Sequence, residues 1–188
     1  MSRQIGHKWQ QGISPQQFRE KMTKNQDAFQ SWYEKFEWPD GGLEAFFESL
    51  NNRDDLRCVI LAAEWCGDVV RNVPVVLRAA ETAGIPTRIL ILEEHLDLMD
   101  EHLTMGGRSI PVVFIADTGG AILGKWGPRP KYVQEPMVKF KQENPDRDAP
   151  DYQDKLAETR AEIKRRYGED TGYQALILQE LQDLLARV

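Results

Sequence analysis

Ala63-Glu-Trp-Cys-Gly-Asp-Val-Val-Arg-Asn-Val-Pro74 is the stretch on which the fold turns. Before it runs Leu56 to Ala63, LRCVILAA, a continuous apolar segment with β-branched residues at its centre, the pattern of a strand buried on both faces. From Gly67 to about Ala83 the apolar residues recur at helical spacing, and Ala83-Gly84 ends the run. Cys66 therefore stands at a strand-to-helix junction, at the start of the helix. Unpaired backbone N–H groups and the positive end of the helix dipole favour a thiolate there. The sequence thus predicts a reactive cysteine with a depressed pKa. Asp68, two residues on, either opposes that effect through its charge or binds the free N–H groups of the helix start.

Downstream, Thr87 to Leu92 (TRILIL) forms a second strand parallel to the first, completing a βαβ unit. A helix around His95 to Leu103 leads into Thr104-Met-Gly-Gly-Arg-Ser109. Strands at Val112–Ile115 and Ala121–Trp126, joined through Asp117-Thr-Gly-Gly120, make an antiparallel hairpin. Gly127-Pro-Arg-Pro130 precedes a helix carrying Tyr132, Met137 and Phe140, and Gln142–Pro150 reads as an exposed linker. Upstream lie three short helical patterns: Ser14-Pro15 opening one with Phe18 and Met22, then Phe29 to Phe36, then Leu43 to Leu50. At the C-terminus, Tyr152, Leu156, Ile163 and Tyr167 form one amphipathic helix, and Tyr173 to Leu185 a second after a break at Gly168. The pair either packs back on the core or forms a homodimer or partner interface.

The 188 residues suit one domain with extensions, 41% hydrophobic and 29% charged as in soluble globular chains. The segments are a helical extension over 1–54 packed on the core, the α/β core over 55–141, a linker over 142–150 and a helical extension over 151–188. A net charge of -6 argues against a phosphate-backbone binder, so no nucleic-acid partner is expected. No apolar run approaches the ~20 residues of a membrane span, and no leader pattern follows the basic residues near the N-terminus. A cytoplasmic location is the expectation. Two cysteines are too few for a disulfide scaffold.

The Ala-Glu-Trp-Cys-Gly entry with Pro74 eight residues after Cys66 resembles the thioredoxin superfamily. So does Ser109-Ile-Pro-Val-Val-Phe114, which is similar to that family's cis-proline strand start, followed by a hairpin and a glycine, here Gly127. The resemblance spans the middle of the chain. It implies a thioredoxin-like α/β fold: a central mixed β-sheet with helices on both faces, here with N- and C-terminal helices added. It also implies a site in which Cys66 is the nucleophile and the Gly67 and Asp68 N–H groups stabilise its thiolate. Ile110 and Pro111 form the wall that orients an incoming disulfide or glutathione. Arg108 adds positive potential and Trp65 an apolar surface; Trp126 does the same or is simply buried in packing.

Two departures limit the chemistry. Val69 stands where the family carries a resolving cysteine, and Ile60 where it often carries a buried acid, so an internal dithiol cycle is not available. Cys58 is no substitute: eight residues away along a strand it lies roughly 26 Å off, whereas a disulfide needs Cα atoms within about 7 Å. It reads as an inert core thiol. His95 and His102 lie two helical turns apart, too far to share an ion, so no metal is expected. His7 falls in a flexible end, Gly106-Gly107 lacks the setting of a phosphate loop, and Ser109 has no triad partners by spacing. Three functions follow. In one, a monothiol redox protein acts on protein or small-molecule disulfides, with no cofactor and with glutathione as the candidate resolving co-substrate. In another, a non-catalytic peptide-binding or redox-sensing module retains the groove. In the third, an adaptor works through its C-terminal helices.

Overall fold

The structure, a computed structural model, describes residues 4–188. Its centre is a four-stranded mixed sheet in the order β2-β1-β3-β4, with β1 Leu56–Ala62, β2 Thr87–Ile91, β3 Val112–Asp117 and β4 Ile122–Trp126. β1 runs parallel to β2, with Cys58 opposite Thr87, and antiparallel to β3, with Cys58 opposite Ile115. β3 and β4 form the hairpin foreseen from Asp117-Thr-Gly-Gly120, Ala121 returning its carbonyl to the Asp117 N–H at 3.0 Å. The two inner strands are the most apolar, and Leu56, Val59, Ile60, Leu61 and Ala62 are each at most 1% exposed. That burial is why LRCVILAA shows no alternation.

Helices cover both faces of the sheet. The first four, α1 Gly6–Trp9, α2 Pro15–Lys21, α3 Gln26–Glu34 and α4 Gly41–Ser49, precede β1. Ser14 caps α2 with a reciprocal Gln17 box and Pro15 at its first position, and the Asp40 carboxylate caps α4 through the Leu43 N–H. Helix α5, Gly67–Thr82, crosses from β1 to β2 and packs against α3, α4 and α9 (Tyr173–Leu185). On this face Cys58 and Ile115 meet Phe47, Val76 and Leu181. Phe114, the neighbouring residue along β3, points to the other face, where it takes the His102 ring edge-on beyond α6, Leu96–Glu101. Helices α7 Lys131–Glu143 and α8 Tyr152–Tyr167 pack on each other.

The extensions share one core with the sheet: Phe18, Phe29 and Phe47 from the N-terminal part and Tyr173, Ile177 and Leu178 from the C-terminal part are all at most 3% exposed. Several boundaries move. Helix α7 runs to Glu143, taking the first two residues of the expected linker, and α6 is shorter than His95–Leu103 because both flanking histidines leave helical geometry. His7 lies in α1 rather than in a free end, anchored where the Ile5 N–H donates to the Gly120 carbonyl at 2.8 Å. Among the described residues no helix is long and apolar enough to cross a membrane.

Candidate functional site

Cys66 is the N-cap of α5, with extended backbone at φ -84° and ψ 121°. Its own N–H reaches back to the Ala63 carbonyl at 3.2 Å, and its carbonyl accepts the Val70 N–H at 3.0 Å, so the residue is held from both sides of the junction. The half-buried thiol donates to the Ile110 carbonyl, Sγ to O 3.5 Å. The Ile110–Pro111 peptide bond is cis, and Ile110 is itself 3% exposed. Gly127, after β4, buttresses this corner: at φ +111° its backbone passes so near Pro111 that a Cβ there would lie 2.3 Å from the Pro111 carbonyl oxygen. Val69 and Ile60, the residues standing where a second thiol and a buried acid would be, are both fully buried.

The charge state expected of Cys66 is overturned. Burial pushes its thiol above the ordinary value; the Val69 and Asp68 N–H groups pull the other way, Asp68 adds to the rise and Arg129 counters it, and the rise wins. The helix terminus acts as foreseen but is outweighed by desolvation, which the sequence does not display. Nor does Asp68 cap the helix. Its carboxylate accepts two parallel bonds from Arg129, Nε at 2.8 Å and Nη2 at 2.6 Å, and a third from the Tyr167 hydroxyl at 2.8 Å. Asn72, fully buried on α5, donates to the Tyr167 oxygen at 2.8 Å and to the Pro128 carbonyl at 2.9 Å. Arg129 also donates to Gln134 at 2.6 Å.

Arg129, Tyr167 and Asn72 are site residues that the sequence reading misses. A signal existed for Arg129, a charged residue between two prolines directly after Gly127. Tyr167 lies in the last turn of a helix 99 residues from Asp68 and left none. Arg108, expected to add positive potential, forms a bidentate pair with Asp100 at 2.6 and 2.8 Å on the surface. Trp126 is 6% exposed, its indole N–H donating at 2.8 Å to Glu180 of α9, which also accepts the Lys131 N–H at the start of α7. Its role is therefore to join the hairpin to the C-terminal helix.

Trp65 is 52% exposed and tethered through its indole N–H to Glu93 at 2.6 Å. It lines a cleft of about 310 Å³ with Phe18 and Met22 of the N-terminal extension and Ile91 of β2. Gly67 begins α5, and a Cβ added there would meet no atom within 4 Å beyond its chain neighbours. Cys58 is buried and its thiol is pushed up to about 12 by desolvation. His95 and His102 are buried with all four ring nitrogens unpaired, and burial lowers both pKa values. Among the described residues no three His, Cys, Asp or Glu side chains gather as a metal site.

A family model described as Thioredoxin matches residues 12–148. Two solved structures align with nearly the whole chain. One, the 1.5 Å crystal structure of a protein of unknown function from Pseudomonas aeruginosa, has a TM-score of 0.63 and 19% identity, covering 99% of this chain and 98% of the other. The second, an HIV epitope-scaffold, has a TM-score of 0.65 and 17% identity, covering 98% and 99%. At such identities the likeness is one of fold. No curated protein matches the sequence.

Proposed function

The chain belongs to the thioredoxin family, and from that premise we propose that it carries out monothiol thiol–disulfide exchange through Cys66, with an external thiol completing the cycle. One observation carries this reading: the Cys66 sulfur, half-open at the start of α5, lies against the Ile110–Pro111 corner at 3.5 Å from the Ile110 carbonyl, and Val69 fills the place of a resolving thiol. In the forward step the Cys66 thiol gives up its proton to solvent. The thiolate attacks one sulfur of a disulfide, an S–S bond forms to Cys66, and the other sulfur leaves as a thiolate that is protonated by water. A second thiolate, for which glutathione is the proposed source, then attacks the mixed disulfide at the substrate sulfur, forming a new disulfide and returning Cys66. Ile110 and Pro111 orient the incoming group, and the exposed Trp65 offers it an apolar surface.

The raised thiol pKa favours a second reading, in which the same groove binds an extended peptide and Cys66 serves as a slowly oxidised sensor. Disulfide reduction assayed with glutathione, using Cys66→Ser as control, separates the two. Turnover that disappears in the variant supports exchange. Equal background rates in both proteins would overturn it in favour of the binding module.

A further inference from the structure

Asp68, Arg129 and Tyr167 come from three separate parts of the chain and meet two residues beyond Cys66. The Asp68 and Arg129 side chains are each 16% exposed. Withdrawing two charges from water costs several kcal/mol per ion unless geometry and further hydrogen bonds compensate. Here they do: the pair is bidentate, the Tyr167 hydroxyl donates to the carboxylate oxygen that Arg129 Nε also occupies, and Asn72 fixes the tyrosine from behind. The charged groups acting on the sulfur are Asp68 on its own helix and Arg129 on the loop after β4.

We propose that this clamp tunes the charge state of Cys66: Asp68, locked in place by Arg129 and Tyr167, adds its charge to the burial that already disfavours the thiolate, and Arg129 is the counter-ion for the thiolate when it forms. Arg129 and Tyr167 are positioning residues, the first acting on the sulfur by its charge and the second through Asp68. The C-terminal extension thereby supplies part of the site, because Tyr167 closes α8. Anything that undocks α8 releases Asp68 and changes the reactivity of a cysteine about a hundred residues away.

The test is the pH profile of Cys66 alkylation by iodoacetamide in the full chain, a property of the thiol itself that does not depend on turnover. Failure here therefore leaves the exchange reading standing, and failure of the exchange assay leaves this one standing. Below its pKa, a thiol's alkylation rate follows its thiolate fraction, so lowering the pKa by about 1 raises the rate roughly tenfold. Asp68→Asn, which keeps the shape and removes the charge, raises the rate at pH 7 by roughly tenfold, as expected for loss of a neighbouring like charge. Arg129→Met lowers it by a similar factor, because the thiolate loses its counter-ion, and Tyr167→Phe raises it by a smaller one, on the order of threefold, because Asp68 loses part of the lock that holds its charge beside the sulfur. A purely structural clamp would instead lower stability in all three variants without moving the profile in opposite directions. If Arg129→Met does not fold, Asp68→Asn and Tyr167→Phe still decide, with near-UV circular dichroism confirming native packing. An unchanged or slower rate in Asp68→Asn overturns the proposal.

Discussion

Replacing Gly127 by alanine tests whether the Pro111 corner is held by backbone contact. The new Cβ would lie 2.3 Å from the Pro111 carbonyl oxygen, while real Cβ atoms essentially never come closer than 3.0 Å, so one backbone segment must retreat by at least 0.7 Å. Neither yields easily, since Pro111 leads directly into β3 and Gly127 directly follows β4, and the two strands are paired. Relief of such overpacking costs about 1–3 kcal/mol. The residue's φ of +111° adds a conformational cost of about 1–2 kcal/mol for any side chain. The expected loss is therefore about 2–5 kcal/mol, which in a chain of this size lowers the melting temperature by roughly 5–15 °C. Gly106→Ala is the internal control: φ there is +73° but nothing lies within 4 Å of the added carbon, so it bears the conformational cost alone. Urea denaturation followed by tryptophan fluorescence measures both. If the two variants lose equal stability, the steric argument for the corner is wrong.

Other consequences are equally direct. Native protein should yield one alkylatable thiol, Cys66, and denatured protein two, because Cys58 is buried and its thiol is pushed up to about 12; two alkylated thiols under native conditions would contradict its place in the core. A folded pKa raised above that of the unfolded chain means the native state binds the extra proton, so stability falls as pH climbs from about 8.5 toward about 12. The slope from Cys58 is about 1.4 kcal/mol per pH unit, and Cys58→Val should flatten it in urea titrations. Arg71 lies 4.4, 4.9 and 4.8 Å from the rings of Trp32, Tyr167 and Tyr173, joining both extensions to α5. Arg71→Met should cost about 2 kcal/mol in thermal or urea unfolding, and a loss within error would show that the rings pack as well without the cation. Val69→Cys should form an intramolecular disulfide with Cys66 on oxidation, read as the loss of two free thiols by mass spectrometry; retention of both would mean the helix start holds the sulfurs apart.

Much of the site was legible in the chain because it is local. A strand without alternation followed by a helical repeat places Cys66 at a helix start, and the identities of Val69 and Ile60 exclude a dithiol cycle wherever the remaining residues lie. Closeness to Pro111 in sequence suggested that Arg108 adds positive potential, whereas a carboxylate eight residues back at Asp100 pairs with the guanidinium. Trp126 offered two roles, and only the arrival of Glu180 from α9 distinguished them.

What the sequence by itself determined was the order of elements, the βαβ unit with its hairpin, and the position of a single thiol at the mouth of α5, since periodicity, capping and turn chemistry are properties of neighbouring residues. What only the tertiary structure decided was the state of that thiol. Desolvation is a sum over everything that packs around the sulfur, and the charges acting on it come from Asp68 nearby and Arg129 in a distant loop, under a tyrosine that belongs to another helix. Such sums have no value until folding brings their contributors together.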